Sequence, residues 1–141
     1  MAFGTPRLIA GGNVNTFRLI TPSVSADHTG SQAGANDPII GASTGATKFA
    51  PLNDLVTTNL HAEAGDQIEL RGPGEEAMVA AGAAIAAGTL FKSDTNGKAV
   101  AIDAAATTNQ QCGGRTQQAA ADEDELIRVM INPEVFRPEL T

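Results

Sequence analysis

Residues 79–100 read V-A-A-G-A-A-I-A-A-G-T-L-F-K-S-D-T-N-G-K-A-V, and the fold turns on whether this run is helix or sheet. Its alanines favour a helix, since Ala is the best helix former. Gly82 and Gly88 oppose it, each costing a helix about 1 kcal/mol relative to Ala. Val79, Ile85 and Leu90 do not fall on the i, i+3, i+4, i+7 rows of an amphipathic face. Thr89-Leu90-Phe91-Lys92 is a short run of strand-like residues. Asp94-Thr95-Asn96-Gly97 follows, and Asn-Gly marks a tight hairpin because both residues tolerate positive φ. Residues 98–102 alternate polar and apolar, as a returning strand does. The reading is strand, Gly-rich turn, strand, Asn-Gly turn, strand. A short Ala-rich helix over 76–87 stays open as the alternative.

The part A-G-A-A-I-A-A-G-T-L-F-K-S-D-T-N-G-K-A-V also resembles the central motif of bacteriophage head decoration proteins, or capsid cement proteins. That motif is a G-x-x-I-x-x-G-x-L-hydrophobic-K-x-D-x-x-G-K run. A Gly-containing segment follows it, here Gly113-Gly114-Arg115, and then an acidic-then-apolar strand, here 122–131. The resemblance spans roughly residues 60–132 and is a pattern of glycines and apolar positions, not a catalytic signature. It implies a compact β-domain, most often a homotrimer, seated on the outer surface of the virion where capsid subunits meet. The partners it implies are the major capsid protein and further copies of the chain.

The chain has 141 residues, which suits one domain with a real core. There is no Trp and no Tyr, so Val, Ile, Leu, Ala and five Phe must build that core. Fifteen Gly and seven Pro argue against a helical bundle. The formal charge of −7 argues against nucleic acid as the partner, which calls for a basic face. No apolar run reaches the length of a membrane span, and the first residues lack the pattern of a secretory signal. One Cys excludes an internal disulfide framework.

Several short strands and turns fill the rest. Asn15-Thr16-Phe17-Arg18-Leu19-Ile20 reads as a strand ended by Thr21-Pro22, and residues 23–36 read as polar and turn-prone. Residues 47–52 and 55–60 are further extended candidates. Gln67-Ile68-Glu69-Leu70-Arg71 alternates strictly, with Ile68 and Leu70 inward. Residues 104–118 read as a polar loop, with a short helix over 116–121 as an open alternative. Leu126-Ile127-Arg128-Val129-Met130-Ile131 is a strand that Asn132-Pro133 closes. The expected fold is all-β, a small barrel or sandwich with little helix. Residues 1–48 are expected to be an extended N-terminal arm, and 49–141 the compact β-domain. Scattered apolar residues in the arm make Phe3, Leu8, Ile9, Phe17 and Leu19 the candidate partner-binding anchors.

No catalytic set emerges. Cys112 with His61 would be a nucleophile pair only if the fold joined them. Asp27-His28 with His61 and Glu63 lacks the spacing of a structural metal site. The acidic run 122–125 lacks the ligand order of a calcium loop. Gly72-Pro73-Gly74 and Gly113-Gly114 lack the Lys-Ser/Thr of a phosphate loop. No enzyme activity, cofactor or metal is expected. The expected function is structural: a cement protein that bridges major capsid protein subunits on the assembled head. The rival is a small carbohydrate- or surface-binding accessory module of a phage particle, disfavoured by the absence of Trp and Tyr for stacking on sugars.

Overall fold

The computed structural model describes residues 8–23, 28–47, 60–103 and 108–136. Thirteen strands run through them: β1 (Leu8–Ala10), β2 (Val14–Asn15), β3 (Leu19–Pro22), β4 (Thr29–Gln32), β5 (Gly41–Ser43), β6 (Leu60–Ala62), β7 (Gln67–Ile68), β8 (Leu70–Arg71), β9 (Glu76–Ala80), β10 (Leu90–Ser93), β11 (Ala99–Ala101), β12 (Gln110–Thr116) and β13 (Leu126–Phe136). No helix occurs among the described residues, so the all-β reading holds and the helix alternatives at 76–87 and 116–121 fall away.

The alternating run at 67–71 has the central structural role. Its two halves are the two ends of a six-stranded sheet in the order β7-β1-β4-β3-β5-β8. Only Glu69 separates them. One chain segment therefore pairs with β1 through Ile68 and with β5 through Leu70 and Arg71, and the sheet closes on itself as a small barrel. Glu69 completes the seam. Its N–H donates to His61 Nε2 at 3.0 Å, and its carbonyl accepts Thr44 N–H at 3.2 Å. The interior holds Ala10, Val14, Ile20, Ala62, Ile68 and Leu70, so both inward expectations at 68 and 70 are met.

The second sheet has the order β11-β10-β12-β13-β9. Its outer strands approach each other where Ala81 bridges Ala99 and Gly82 N–H donates to Ala99 O at 2.8 Å. A second core lies between this sheet and the outside of the barrel. It joins Val79, Phe91, Ile127, Val129 and Ile131 to Leu19, Ala33, Ile39 and Ala42. The β10–β11 hairpin forms as read. Asp94 Oδ1 accepts Asn96 N–H at 2.8 Å and Lys98 N–H at 2.9 Å, and Gly97 alone takes positive φ, at 74°. Gly97 O then accepts Leu19 N–H at 2.7 Å, which fastens the turn to the barrel.

Four expectations need correction. Residues 8–47 are not an extended arm: they supply β1–β5, and their side chains enter both cores. The 48/49 boundary and most of the strand candidates at 47–52 and 55–60 lie outside the described residues. The strand read at 15–20 is split at Thr16-Phe17, where Phe17 takes φ 55° and the chain turns. The loop read at 104–118 contains β12, a central strand between β10 and β13. Its glycines conceal it in the sequence: a Cβ on Gly113 would lie 2.8 Å from Ile39 Cδ1 and also overlap the Phe91 ring, so neighbours fill the space. Finally, Pro133 does not end β13. The β12–β13 register shifts between Cys112 and Gly114, and Pro133 sits in that bulge, where its missing N–H breaks no ladder bond.

Candidate interaction surfaces

His61 and Cys112 are both engaged in structure. His61 is buried; its Nδ1 lies 2.6 Å from Ala46 O, and its Nε2 accepts Glu69 N–H. These two bonds fix the neutral Nδ1–H tautomer. Cys112 is buried with its Sγ 3.5 Å from Gly114 O, and burial pushes its thiol above the ordinary value. Among the described residues no group of three or more His, Cys, Asp or Glu could hold a metal ion. Asp27 and Phe3 lie outside the described residues. No helix among them is long and apolar enough to cross a membrane.

The five anchor candidates separate. Leu8 is half-buried against the barrel core, and Ile9, its neighbour on β1, points outward at 39% exposure. Leu19 is fully buried between the barrel and the second sheet, so it is a core residue of its own chain. Phe17 lines a surface hollow.

That hollow is a groove of about 360 Å³ between the barrel and the second sheet. Phe17 lies in it with Ser43 and Thr44 on the barrel side and Ala77 and Met78 of β9 on the other, while Arg71 and Arg128 stand among its walls. The backbone builds the floor from both sides. Phe17 N–H donates to Thr44 O at 3.4 Å, and Phe17 O accepts Ala80 N–H at 3.0 Å. The ring packs against Gly45, where a Cβ would overlap its far end and push it aside. A bulky residue at φ 55° is an outlier, and such strain persists only when the surroundings impose it. Arg71 pairs with Glu75 at 3.5 Å and Arg128 with Glu76 at 4.0 Å, all four more than 40% exposed. Pairs of this kind are weak and leave guanidinium donors free.

Phe17 also lines an adjoining hollow of about 440 Å³ with Arg18, Lys98, Asp124 and Leu126. Lys98 is largely buried and holds Asp124 at 2.6 Å and Glu123 at 3.0 Å. The hydrogen bond to Asp124, then that to Glu123, raises the Lys98 ammonium above its ordinary value, and Lys98 in turn lowers the Asp124 carboxyl. Arg18 donates to Thr16 O at 3.3 Å, and its buried Nε has no hydrogen-bond partner.

Sequence reasoning missed Arg71, Arg128 and Met78. Alternation marks Arg71 and Arg128 as outward on their strands, but only the packing of the barrel beside β9 brings them to one groove. A third hollow, of about 340 Å³, lies over Gly114 beside Leu90, Arg115 and Met130 on the outer face of the second sheet. Exposed large apolar residues elsewhere, Ile9 and Val135, stand singly on separate strands.

No protein-family profile and no curated protein matches the chain. Among solved structures, the chain is similar to the crystal structure of the head fiber gp8.5 N base in bacteriophage phi29. The TM-score is 0.58 at 23% identity, over 89% of this chain and 90% of that one. The two chains share a fold over nearly their whole lengths.

Proposed function

We infer that this chain is a structural protein of a phage head. The observation that carries the reading is the fold shared with the phi29 head fiber base over nine-tenths of both chains. The cement-like motif at residues 82–98 supports it from the sequence side. In this reading the protein binds the outside of the assembled head as a homotrimer and bridges major capsid protein subunits. Bridging stabilises by linkage: subunits held through one oligomer separate only when several contacts break together. The work is mechanical, and it uses no cofactor and no nucleic-acid contact. A second reading follows from the neighbour's own description as the base of a head fiber. There the chain mounts a further structure on the shell instead of tying the shell together.

The test is sedimentation of the purified protein with empty heads that lack it, alongside its mass by light scattering. A trimer that co-sediments and raises the heads' resistance to heating or chelator supports the cement role. Co-sedimentation with no gain in head stability favours the mounting role. A protein that ignores heads refutes both.

A further inference from the structure

β9 is an end strand of the second sheet among the described residues, and its edge away from β13 lies along the Phe17 groove. Which main-chain groups face that groove follows from the ladder with β13. Ile131 N–H donates to Glu75 O at 3.0 Å, and Ala81 N–H donates to Glu125 O at 2.8 Å. Antiparallel ladders alternate, so Ala77 and Val79, opposite Val129 and Ile127, also turn their main-chain groups to β13. Glu76, Met78 and Ala80 therefore turn theirs away. The outward bond from Ala80 N–H to Phe17 O, at 3.0 Å, agrees with this parity. One position of that edge is thus already satisfied by a neighbouring segment. At the two preceding positions, Glu76 and Met78, no such bond occurs among the described residues.

We propose that this groove receives an extended segment of a partner protein as an added strand on β9. The segment carries an apolar side chain over the Phe17 ring and carboxylates toward Arg71 and Arg128. Strand addition uses main-chain bonds for affinity and side-chain pockets for selection. The groove offers both: main-chain groups at Glu76 and Met78 with no bond among the described residues, and the Phe17 ring in its lining. The choice of an acidic segment rests on charge. The chain as a whole is −7, whereas here the two lining arginines are matched by Glu76 in the lining and Glu75 beside Arg71, so the groove is locally balanced and not acidic like the rest of the chain. Both arginine side chains are 56% exposed and tied only by the long pairs described above. The identity of the partner as a head protein rests on the proposed function; the chemistry of the groove does not.

The probe is a blocked hexapeptide of alternating valine and glutamate, titrated into the ¹⁵N-labelled full chain, with its valine–lysine counterpart as control. The expected result is shifted Glu76 and Met78 amides, with exchange slowed at least tenfold at saturation and affinity for the lysine peptide at least tenfold lower. Met78→Pro removes an N–H that faces the groove and none that faces β13, and should abolish the response. Should that variant not fold, the Arg71→Glu/Arg128→Glu double variant decides, because it should reverse the preference between the two peptides. Equal affinity for both peptides, or shifts confined to other surfaces, overturns the proposal. So does a concentration-dependent dimer that Met78→Pro abolishes, which would assign the groove to a second copy. The head experiment is separate: failure of the wild-type protein to co-sediment overturns the functional reading, whatever the peptide does.

Discussion

Leu19→Ala separates a core role from a docking role at one residue. Leu19 is fully buried where the barrel meets the second sheet, paired with Ala42 and held by its N–H to Gly97 O. The substitution removes three carbons, about 2.4 kcal/mol of transfer free energy at ~0.8 per carbon. The neighbours Phe91, Ile39 and Ala33 belong to strands and turns fixed by both sheets, so the space cannot fully collapse. The residual cavity brings the total loss to roughly 3–4 kcal/mol, within the usual span for buried Leu→Ala changes. For 141 residues the unfolding entropy near the midpoint is about 0.3 kcal/mol/K, so the Tm should fall by roughly 10–13 °C. Calorimetry and urea titration with an unchanged m-value would check this. Head binding by the fraction still folded should be unaltered. Ile9→Ala, at an outward position on β1, is the control and should change stability by less than about 0.5 kcal/mol. A Leu19→Ala protein that melts within about 3 °C of wild type, yet loses head binding, would refute the packing argument.

Gly114→Ala should destabilise by about 2–4 kcal/mol in urea titration, because φ is 134° and the added Cβ would overlap the Met130 carbonyl oxygen. The Lys98–Asp124 pair should give stability a slope at both ends of the pH scale. Lys98 is raised in the folded state, so its contribution is whole below about pH 10.5 and is lost as pH climbs through its folded value. Asp124 is lowered, so its contribution is whole above about pH 4 and is lost as pH falls through its folded value. Asp124→Asn, which tolerates the native φ of 70°, should reduce the acid-side slope of urea midpoint against pH and lessen the alkaline one, where Glu123 still holds Lys98; wild-type slopes retained in the variant would count against the pairing. The Cys112 thiol should resist a thiol reagent in the folded protein and react at least ~100-fold faster in denaturant, since it is buried and held protonated by desolvation. Fast labelling under native conditions would contradict its placement.

Much of the second sheet was legible because its strands alternate in the usual way. Residues 90–93, 99–101 and 126–131 show apolar side chains on one face, and Asp94 to Gly97 carries its own turn chemistry. The barrel was less legible for a physical reason. Its strands are short and small: Thr29–Gln32 reads T-G-S-Q and Gly41–Ser43 reads G-A-S. A narrow interior has no room for large side chains at Gly30, where a Cβ would sit 3.1 Å from Ile20 Cγ2. Such segments look like linker, and the whole region passes for an arm. β12 was hidden by the same substitution of neighbours for side chain, with Phe91 and Ile39 covering Gly113. Of the groove, Phe17 was legible as one of five scattered apolar anchor candidates. The arginines and the β9 edge were not, because their meeting depends on how the two sheets pack.

The seam at Glu69 also sets an order of events during synthesis. A nascent chain that has emerged only through Ser43 holds β1–β5, but β1 and β5 each still lack a neighbour on one side. Both are supplied by the same few residues, 67–71, so the two open edges are covered together or not at all. A stalled or truncated chain ending before that segment would present two unpaired strand edges, the kind of surface that invites association with other chains. Closure also joins residues far apart in sequence, which slows folding. The two open edges are therefore exposed together until residues 67–71 emerge, and the same segment covers both.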